Sequence, residues 1–324
     1  MNKQELLPAK ADVSVLLIFF TRPDTFEKVF EKVKEARPSK LFLACDGPRE
    51  ERKDDIKKIA ECKKIAEDID WECEIYRNYA DDNMGCGMRP QTAITWAFQF
   101  TDSLIVLEDD CIPHKSFFRY MEEMLERYKD DERIGVLSGF NHFENWDCGD
   151  YSYFFTQNGP LAGAWATWKR VWDGYQFDVA GITEPLVSKL MSGNISIKRI
   201  RQAKIKLWKR TYSLVKQNQK ISYWDVQFGF LKFYQSYLTV VPKFSIASNI
   251  GLGNGSTHAV NAKNTMPCIF FAPDRNLKFP LKHTPYVICD NRYDNAIDVK
   301  WGFPNPIIKN IKRGIRLIRS ILKI

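Results

Sequence analysis

Apolar runs of strand length alternate with helical stretches through the first 140 residues, and this pattern constrains the fold most strongly. The runs lie at residues 13–20, 41–45, 103–107 and 134–137. Each is largely apolar on consecutive positions, as expected for a strand buried on both faces of a sheet. The apolar residues after the first run recur at helical steps: Phe26, Val29, Phe30 and Val33. Strands alternating with helices favour βαβ units, so we predict an α/β fold with a mostly parallel sheet.

Two weaker patterns complete the first half. Trp71, Cys73 and Ile75 alternate like a strand. Residues 91–100 have helical periodicity and follow a glycine-containing loop at residues 83–87. We therefore predict a third strand around Ile75 and a helix that begins near residue 91.

The second half is less regular. Trp165, Trp168 and Trp172 recur at i, i+3 and i+7, which predicts a helix that packs its aromatic face into the core. The alternation fades beyond about residue 141, but no linker rich in Pro, Gly or Ser follows. This indicates one domain with a regular first half and an irregular second half.

Ligands of parallel α/β sheets bind beyond the carboxyl ends of the strands, so the polar residues at these ends are the candidate site. They are Thr21, Arg22, Pro23, Asp46 and the triplet Glu108, Asp109 and Asp110. Three consecutive acids at the end of a buried strand repel one another, and each must stay solvated or paired. Mg²⁺ or Mn²⁺ would relieve this repulsion, because both prefer hard oxygen ligands. The alternative is that the triplet caps the next helix or forms a solvated turn.

Residues 107–118, which contain the Glu-Asp-Asp triplet, resemble the metal-binding segment of GT-A glycosyltransferases. The similarity is greatest to inverting enzymes of the N-acetylglucosaminyltransferase I type and their bacterial relatives. Further segments match in chain order: Thr21 to Pro23, Asp46, residues 159–165, residues 223–225 and residues 251–258. The resemblance covers about residues 13 to 260. It implies a Rossmann-like GT-A domain over residues 1–300, with a nucleotide-sugar half at about 12–140 and an acceptor half at 141–300.

The resemblance implies a role for each matching residue. Asp110 would bind the metal, Asp109 the ribose and Glu108 the hydroxyls of the transferred sugar. Arg22 and Asp46 would contact the nucleoside and its base, in a pocket that Thr21 and Pro23 shape.

Three other residues have weaker support. Asp225 resembles the catalytic base, although it also fits the N-cap of the helix that follows. His258 would lie near the diphosphate or the metal, unless it is an ordinary loop histidine. Arg89, which follows a Gly-x-Gly sequence, would approach the nucleotide, but that motif alone is a weak phosphate signal. The animal enzymes have a histidine in the helix after this loop, and this chain has none, which leaves the nucleotide base open.

The formal charge of +8 is unevenly distributed. Residues 185–224 contain ten Lys or Arg and no acid, and residues 301–324 contain six and no acid, so the remainder has a net charge of −8. This division argues against nucleic acid as the partner. Residues 301–324 predict a basic amphipathic helix on an anionic membrane, or alternatively a terminal helix docked on the core. For the stretch 195–216 we expect a second membrane-facing element, a groove for an acidic or lipid-diphosphate acceptor, or an ordinary solvated helix.

The eight cysteines show no C-x-x-C spacing, and no export signal precedes the first run. The longest apolar run is too short to cross a bilayer. We therefore expect a cytoplasmic protein, peripheral on the inner face of the membrane. The predicted function is metal-dependent transfer of a sugar, with N-acetylglucosamine as a candidate, from a UDP-sugar to a glycan or lipid-linked glycan in surface-polysaccharide biosynthesis. The alternatives are nucleotidyl transfer to a sugar phosphate and non-enzymatic binding of membranes or polyanions.

Overall fold

The computed structural model describes residues 6–161, 163–194, 198–251 and 268–300. The strands are β1 (Ala11–Phe19), β2 (Pro38–Cys45), β3 (Glu74–Tyr79), β4 (Ser103–Glu108), β5 (Cys111–Pro113), β6 (Ile134–Ser138), β7 (Tyr153–Thr156), β8 (Ala164–Trp168), β9 (Leu238–Pro242) and β10 (Ala247–Asn249). The α-helices are α1 (Pro23–Ala36), α2 (Asp54–Ala66), α3 (Gly85–Ala97), α4 (Phe117–Arg127), α5 (Lys169–Trp172), α6 (Pro185–Asn194), α7 (Lys198–Lys216), α8 (Asp225–Tyr234) and α9 (Asn291–Lys300).

Eight strands form one mixed, mostly parallel sheet in the order β3-β2-β1-β4-β8-β6-β9-β7. The pairs β3-β2, β2-β1, β1-β4 and β6-β9 are parallel, whereas β8 runs antiparallel between β4 and β6. β5 and β10 form a separate antiparallel pair. The predicted α/β class with a mostly parallel, Rossmann-like sheet is confirmed.

The first βα unit shows why the local patterns were informative. Every residue of β1 from Val13 to Phe19 is buried, because sheet neighbours and helices cover both faces. Phe26, Val29, Phe30 and Val33 are the buried residues of α1, as their spacing predicts. Phe19 stacks on Phe26 at 4.4 Å between ring centroids, which holds the end of the strand against the first turn of the helix.

Two local predictions in the first half are wrong at their boundaries. Trp71 lies outside β3, in an isolated bridge to Leu7, and β3 begins only at Glu74. The loop expected at residues 83–87 contains the start of α3 at Gly85. Helix formation starts there because the buried carboxylate of Asp46 accepts the backbone N–H groups of Met84 and Gly85, an interaction that local periodicity does not reveal.

The tryptophan pattern in the second half also has a different origin. Trp165 and Trp168 belong to β8, and only Trp172 is helical. β8 is inserted between β4 and β6 and all five of its residues are buried. A strand buried on both faces can carry tryptophans at a spacing of three, with one on each face, so the helical assignment of this segment was wrong.

A helical layer follows β8 in the chain. It consists of α6, α7, α8 and a short 3-10 helix at Ala180–Thr183. These helices pack on one another through a small hydrophobic cluster that is separate from the main core. The cluster consists of Val179, Ile182, Ile200, Trp208, Phe230 and Phe233. The basic helix predicted for residues 301–324 lies outside the described residues.

Candidate functional site

The acidic triplet lies at the junction of two neighbouring parallel strands. Ile18 of β1 pairs with Glu108 of β4, so the residues after both strands meet at the same edge of the sheet. The backbone N–H of Phe20 donates to Asp109 Oδ2 at 3.1 Å. Arg22 Nη1 lies 2.8 Å from Asp110 Oδ2 and 3.9 Å from Asp109 Oδ1. The structure thus brings Arg22 together with Asp109 and Asp110 at the end of β4.

Glu108 is enclosed by the chain that leads into β8. Its backbone N–H donates to the carbonyl of Gly163 at 2.8 Å. Gly163 has a φ of +66°, and a Cβ there would come within 2.5 Å of Cys111 Sγ and 3.2 Å of Glu108 Cβ. Only glycine is compatible with both the backbone conformation and this close approach.

One arginine, Arg22, only partly compensates the negative charge of the triplet. Burial, together with the nearby charges of Asp110, Asp109 and Asp225, raises the pKa of Glu108 to about 8. Burial and the charge of Asp110 raise the pKa of Asp109 to about 7, although Arg22 opposes the shift. A cation bound at this edge of the sheet would therefore stabilise the ionised carboxylates.

Asp110 is held from the opposite side by β10. Asn249 Nδ2 donates to Asp110 Oδ1 at 3.1 Å, and the backbone N–H of Ile250 donates to the carbonyl of Asp110 at 2.8 Å. Gly251 comes next, and a Cβ at that position would overlap Asp110 Oδ2. Asn249 Oδ1 in turn accepts the N–H of Gly251 at 2.8 Å, which closes an Asx turn against the acid. An Asn two residues before a Gly is the only sequence signal for this turn.

Asp46 is buried, and its carboxylate accepts hydrogen bonds from the residues that precede and begin α3. Oδ1 accepts the N–H groups of Gly47 and Met84, and Oδ2 accepts Asn83 Nδ2 and the N–H of Gly85, at distances of 2.8 to 3.0 Å. The predicted contact with a nucleoside therefore competes with four hydrogen bonds from the protein. In this conformation Asp46 positions the start of α3.

Arg89 lies further along the same helix and is also buried. Its guanidinium donates to Asn78 Oδ1 at 2.9 Å and to the carbonyl of Asn78, at the end of β3. Burial lowers the pKa of Arg89, and the charge of Asp46 opposes that shift. Arg89 thus joins α3 to the end of β3.

Asp225 is exposed and is the first residue of α8, whereas Trp224 occupies the N-cap. The N-cap alternative for Asp225 is therefore wrong. Trp224 is buried and stacks on Trp165 of β8, with 5.4 Å between ring centroids and 23° between planes. This stacking anchors the start of α8 over the sheet. The charge of Asp225 reaches Glu108, since it raises the pKa of that residue.

A lysine that the sequence analysis missed lies on the same side. A Cβ on Gly85 would lie 3.3 Å from Lys220 Cε, and one on Gly87 would overlap the carbonyl of Ile221. Cys86 Sγ donates to the carbonyl of Ser222 at 3.1 Å. The two glycines thus let the segment before Asp225 approach the N-terminus of α3, and this approach places the Lys220 side chain beside Gly85.

The remaining predicted residues fall into two groups. Thr21 and Pro23 are half-buried on either side of Arg22, and Pro23 is the first residue of α1. Pro at this position needs no hydrogen-bond partner and favours helix initiation. His258 lies outside the described residues.

The triplet suits a divalent cation in charge and ligand type. Mg²⁺ and Mn²⁺ need only one or two protein carboxylates when substrate phosphates and water supply the other ligands. Within the described ranges, however, no three His, Cys, Asp or Glu side chains are grouped so as to hold a metal ion. Asp110, the predicted ligand, instead pairs with Arg22. A metal ion that binds Asp110 would therefore have to replace Arg22 as the partner of this carboxylate.

No helix in the described part of the chain is long and apolar enough to span a membrane. No protein-family model matches the sequence, and no curated protein matches it. Among solved structures, the chain is similar to a UDP-glucose pyrophosphorylase complexed with UDP-glucose. This similarity has a sequence identity of 10% and a TM-score of 0.27, and it covers 50% of this chain and 78% of that chain. A likeness this slight identifies no function.

Proposed function

We propose that the chain is a metal-dependent inverting glycosyltransferase that moves a sugar from a UDP-sugar to a hydroxyl of a glycan or lipid-linked glycan. The observation that carries the proposal is the grouping of Glu108, Asp109 and Asp110 beyond β1 and β4, with Asp225 near enough to raise the pKa of Glu108. Clustered carboxylates suit a cation that is bound together with a diphosphate. A separate, exposed carboxylate suits removal of a proton from an acceptor.

The donor is assigned to the acidic edge. Asp110 is the proposed metal ligand, with His258 as a second, and the metal would neutralise the charge that develops on the departing diphosphate. Asp109 is assigned to the ribose and Glu108 to the hydroxyls of the transferred sugar. Burial raises the pKa of Glu108, so before the metal binds its carboxyl can donate a hydrogen bond as well as accept one.

The nucleoside is assigned to the loops beside this edge. Arg22 is proposed to contact it directly, and Thr21 and Pro23 to shape the pocket. Asp46 is proposed to act through Met84 and Gly85, whose N–H groups its carboxylate accepts, and Arg89 through the contact of α3 with Asn78 of β3. We expect their replacement to weaken nucleotide binding more than it changes the chemical step.

The acceptor is assigned to the side of Asp225. Its carboxylate takes the proton of the acceptor hydroxyl, and the acceptor oxygen forms a bond to the anomeric carbon. The bond between that carbon and the diphosphate breaks, and the nucleoside diphosphate leaves with the bonding electrons. Attack from the face opposite the leaving group inverts the anomeric configuration.

The test compares Asp110→Asn and Asp225→Asn with the unchanged protein. We expect Asp110→Asn to abolish both sugar transfer and the Mn²⁺-dependent thermal shift with UDP-sugars. Asp225→Asn should lower the rate of transfer by about 10²- to 10⁴-fold, the usual contribution of a general base, and keep the shift. Asp173→Asn is the matched control, because it removes an exposed carboxylate from a surface ion pair with Lys169.

Three results would contradict the proposal. Sugar transfer by the unchanged protein in metal-free buffer would exclude the role of Asp110 as a metal ligand. Release of pyrophosphate from UTP and a sugar phosphate, without transfer to an acceptor hydroxyl, would identify nucleotidyl transfer instead. Binding of polyanions with no response to UDP, UDP-sugars or Mn²⁺ would indicate a protein that is not an enzyme.

A further inference from the structure

The helices α6 and α7 form an outer layer that leaves two kinds of surface uncovered. Leu186 and Leu190 are 63% and 60% exposed, and they lie one turn apart on the same face of α6. The exposed Lys189 lies on the same face. Two neighbouring leucines with a lysine beside them form a small apolar patch with a cationic rim.

α7 presents a basic face to solvent. Its exposed positions include Gln202, Lys206, Lys209, Ser213 and Lys216, which recur at steps of three and four and therefore share one side of the helix. Arg210 is exposed next to Lys209. Lys216 lies 3.7 Å from Asp178.

The other three cations differ from Lys216 in this respect. Among the described residues, none of Lys206, Lys209 and Arg210 forms an ion pair. The whole segment from residue 185 to residue 224 lacks Asp and Glu. This face of α7 is therefore an uncompensated positive surface.

We propose that the exposed faces of α6 and α7 dock the protein on an anionic lipid bilayer. The cations are complementary in charge to anionic headgroups, with each worth about fivefold in affinity near the surface. The leucines fit the boundary between headgroups and acyl chains, whereas a nucleic acid offers them no apolar environment. Residues 301–324 are a poor occupant of this surface, because they carry six cations and no acid themselves.

The docking surface is tied to the proposed acceptor side of the site. Trp208 of α7 packs on Phe230 and Phe233 of α8, with 5.4 and 5.5 Å between ring centroids. Thr211 Oγ1 also lies 3.1 Å from Tyr223 Oη, two residues before Asp225. A bilayer bound at α6 and α7 would thus be coupled to the segment that carries Asp225. This consequence rests on the proposed function, whereas the docking itself does not.

The test is co-sedimentation of the full chain with vesicles of phosphatidylcholine alone or mixed with phosphatidylglycerol. We expect binding to the anionic vesicles only. Replacement of Lys206, Lys209 and Arg210 by Gln should weaken it on the order of 100-fold. The pair Leu186→Ser and Leu190→Ser should weaken it on the order of 30-fold, from the apolar area that no longer leaves water.

A matched control changes the same residue types on α2. Ile56 is 66% exposed and is followed by the exposed Lys57 and the half-buried Lys58, so Ile56→Ser with Lys57→Gln and Lys58→Gln should leave vesicle binding unchanged. Unchanged binding by the α7 variant would overturn the proposal and assign docking to residues 301–324. Unchanged binding by the leucine variant would overturn the apolar contact. Transfer to a soluble acceptor, measured on the same variants, reports separately on the proposed function.

Discussion

At the scale of single residues, the second half contains a buried lysine that the proposed reaction does not use. Lys232 of α8 is 3% exposed, and burial lowers its pKa to about 7, although the charge of Asp294 raises it. The charges of Lys204 and Cys289 also reach Lys232, and its own charge helps to lower the pKa of His142 to about 4. Lys232 is thus largely neutral in the folded protein slightly above neutral pH.

This lysine predicts a pH dependence of stability. Between pH 7 and 10.5 the unfolded chain binds a proton at Lys232 that the folded protein does not, so the free energy of unfolding rises with pH in this window. The slope from this group approaches about 1.4 kcal/mol per pH unit. Lys232→Met should remove this part of the slope. Denaturant unfolding of both proteins from pH 7.5 to 9.5 measures it, and equal slopes would show that Lys232 stays charged.

At the scale of elements, β10 acts as a support for the last acid of the triplet. Its end residue Asn249 and the following Gly251 both contact Asp110, one through a hydrogen bond and the other through close backbone approach. A strand of three residues thus sets the orientation of a carboxylate in the turn between β4 and β5. This arrangement explains why a glycine stands at that position without a positive φ.

Gly251→Ala should therefore impair the site. The new Cβ would overlap Asp110 Oδ2, so Asp110 or the backbone of β10 must move, and we expect at least a tenfold loss of UDP-sugar affinity in the presence of Mn²⁺. Gly229→Ala is the control, since nothing lies within 4 Å of its Cβ and alanine favours a helix interior by about 0.5–1 kcal/mol. Unaltered affinity in Gly251→Ala, measured by calorimetry, would show that Asp110 is not held by this contact.

At the scale of the whole molecule, α7 and the main sheet rest on different hydrophobic clusters. The cluster under α7 contains six buried apolar residues, from the 3-10 helix and its N-cap, α7 and α8, whereas the main core joins the sheet to α1, α4 and the other face of α8. A layer with few buried contacts opens at lower free energy than a core strand.

Hydrogen exchange should show this difference. We expect amides of α7 to exchange at least tenfold faster than those of β1, β2 and β4, as measured by mass spectrometry on the protein without vesicles. Equal protection would place the layer in the same cooperative unit as the sheet. Anionic vesicles should slow exchange in α6 and α7 if docking occurs there.

Several features of this protein are determined by local sequence alone. Burial on both faces requires consecutive apolar residues, and a helix buried on one face requires steps of three and four, so β1, β2, β4, α1 and α4 could be predicted from short windows. The acids after β4 and the loop after β1 could be identified because strand ends carry the ligands in such sheets.

Only the tertiary structure decided how these pieces are used. The position of β8 between β4 and β6 makes Trp165 and Trp168 strand residues, and sheet order is not encoded in local periodicity. Arg22 and Asp110 form an ion pair although they lie 88 positions apart in the sequence. Asp46 accepts the N–H groups at the start of α3, which lie 38 and 39 positions further along the chain. Such contacts depend on which chain segments meet in space. Residue type alone therefore predicted the acidic edge, whereas the fold set the partners of these acids and raised the pKa of Glu108 and Asp109.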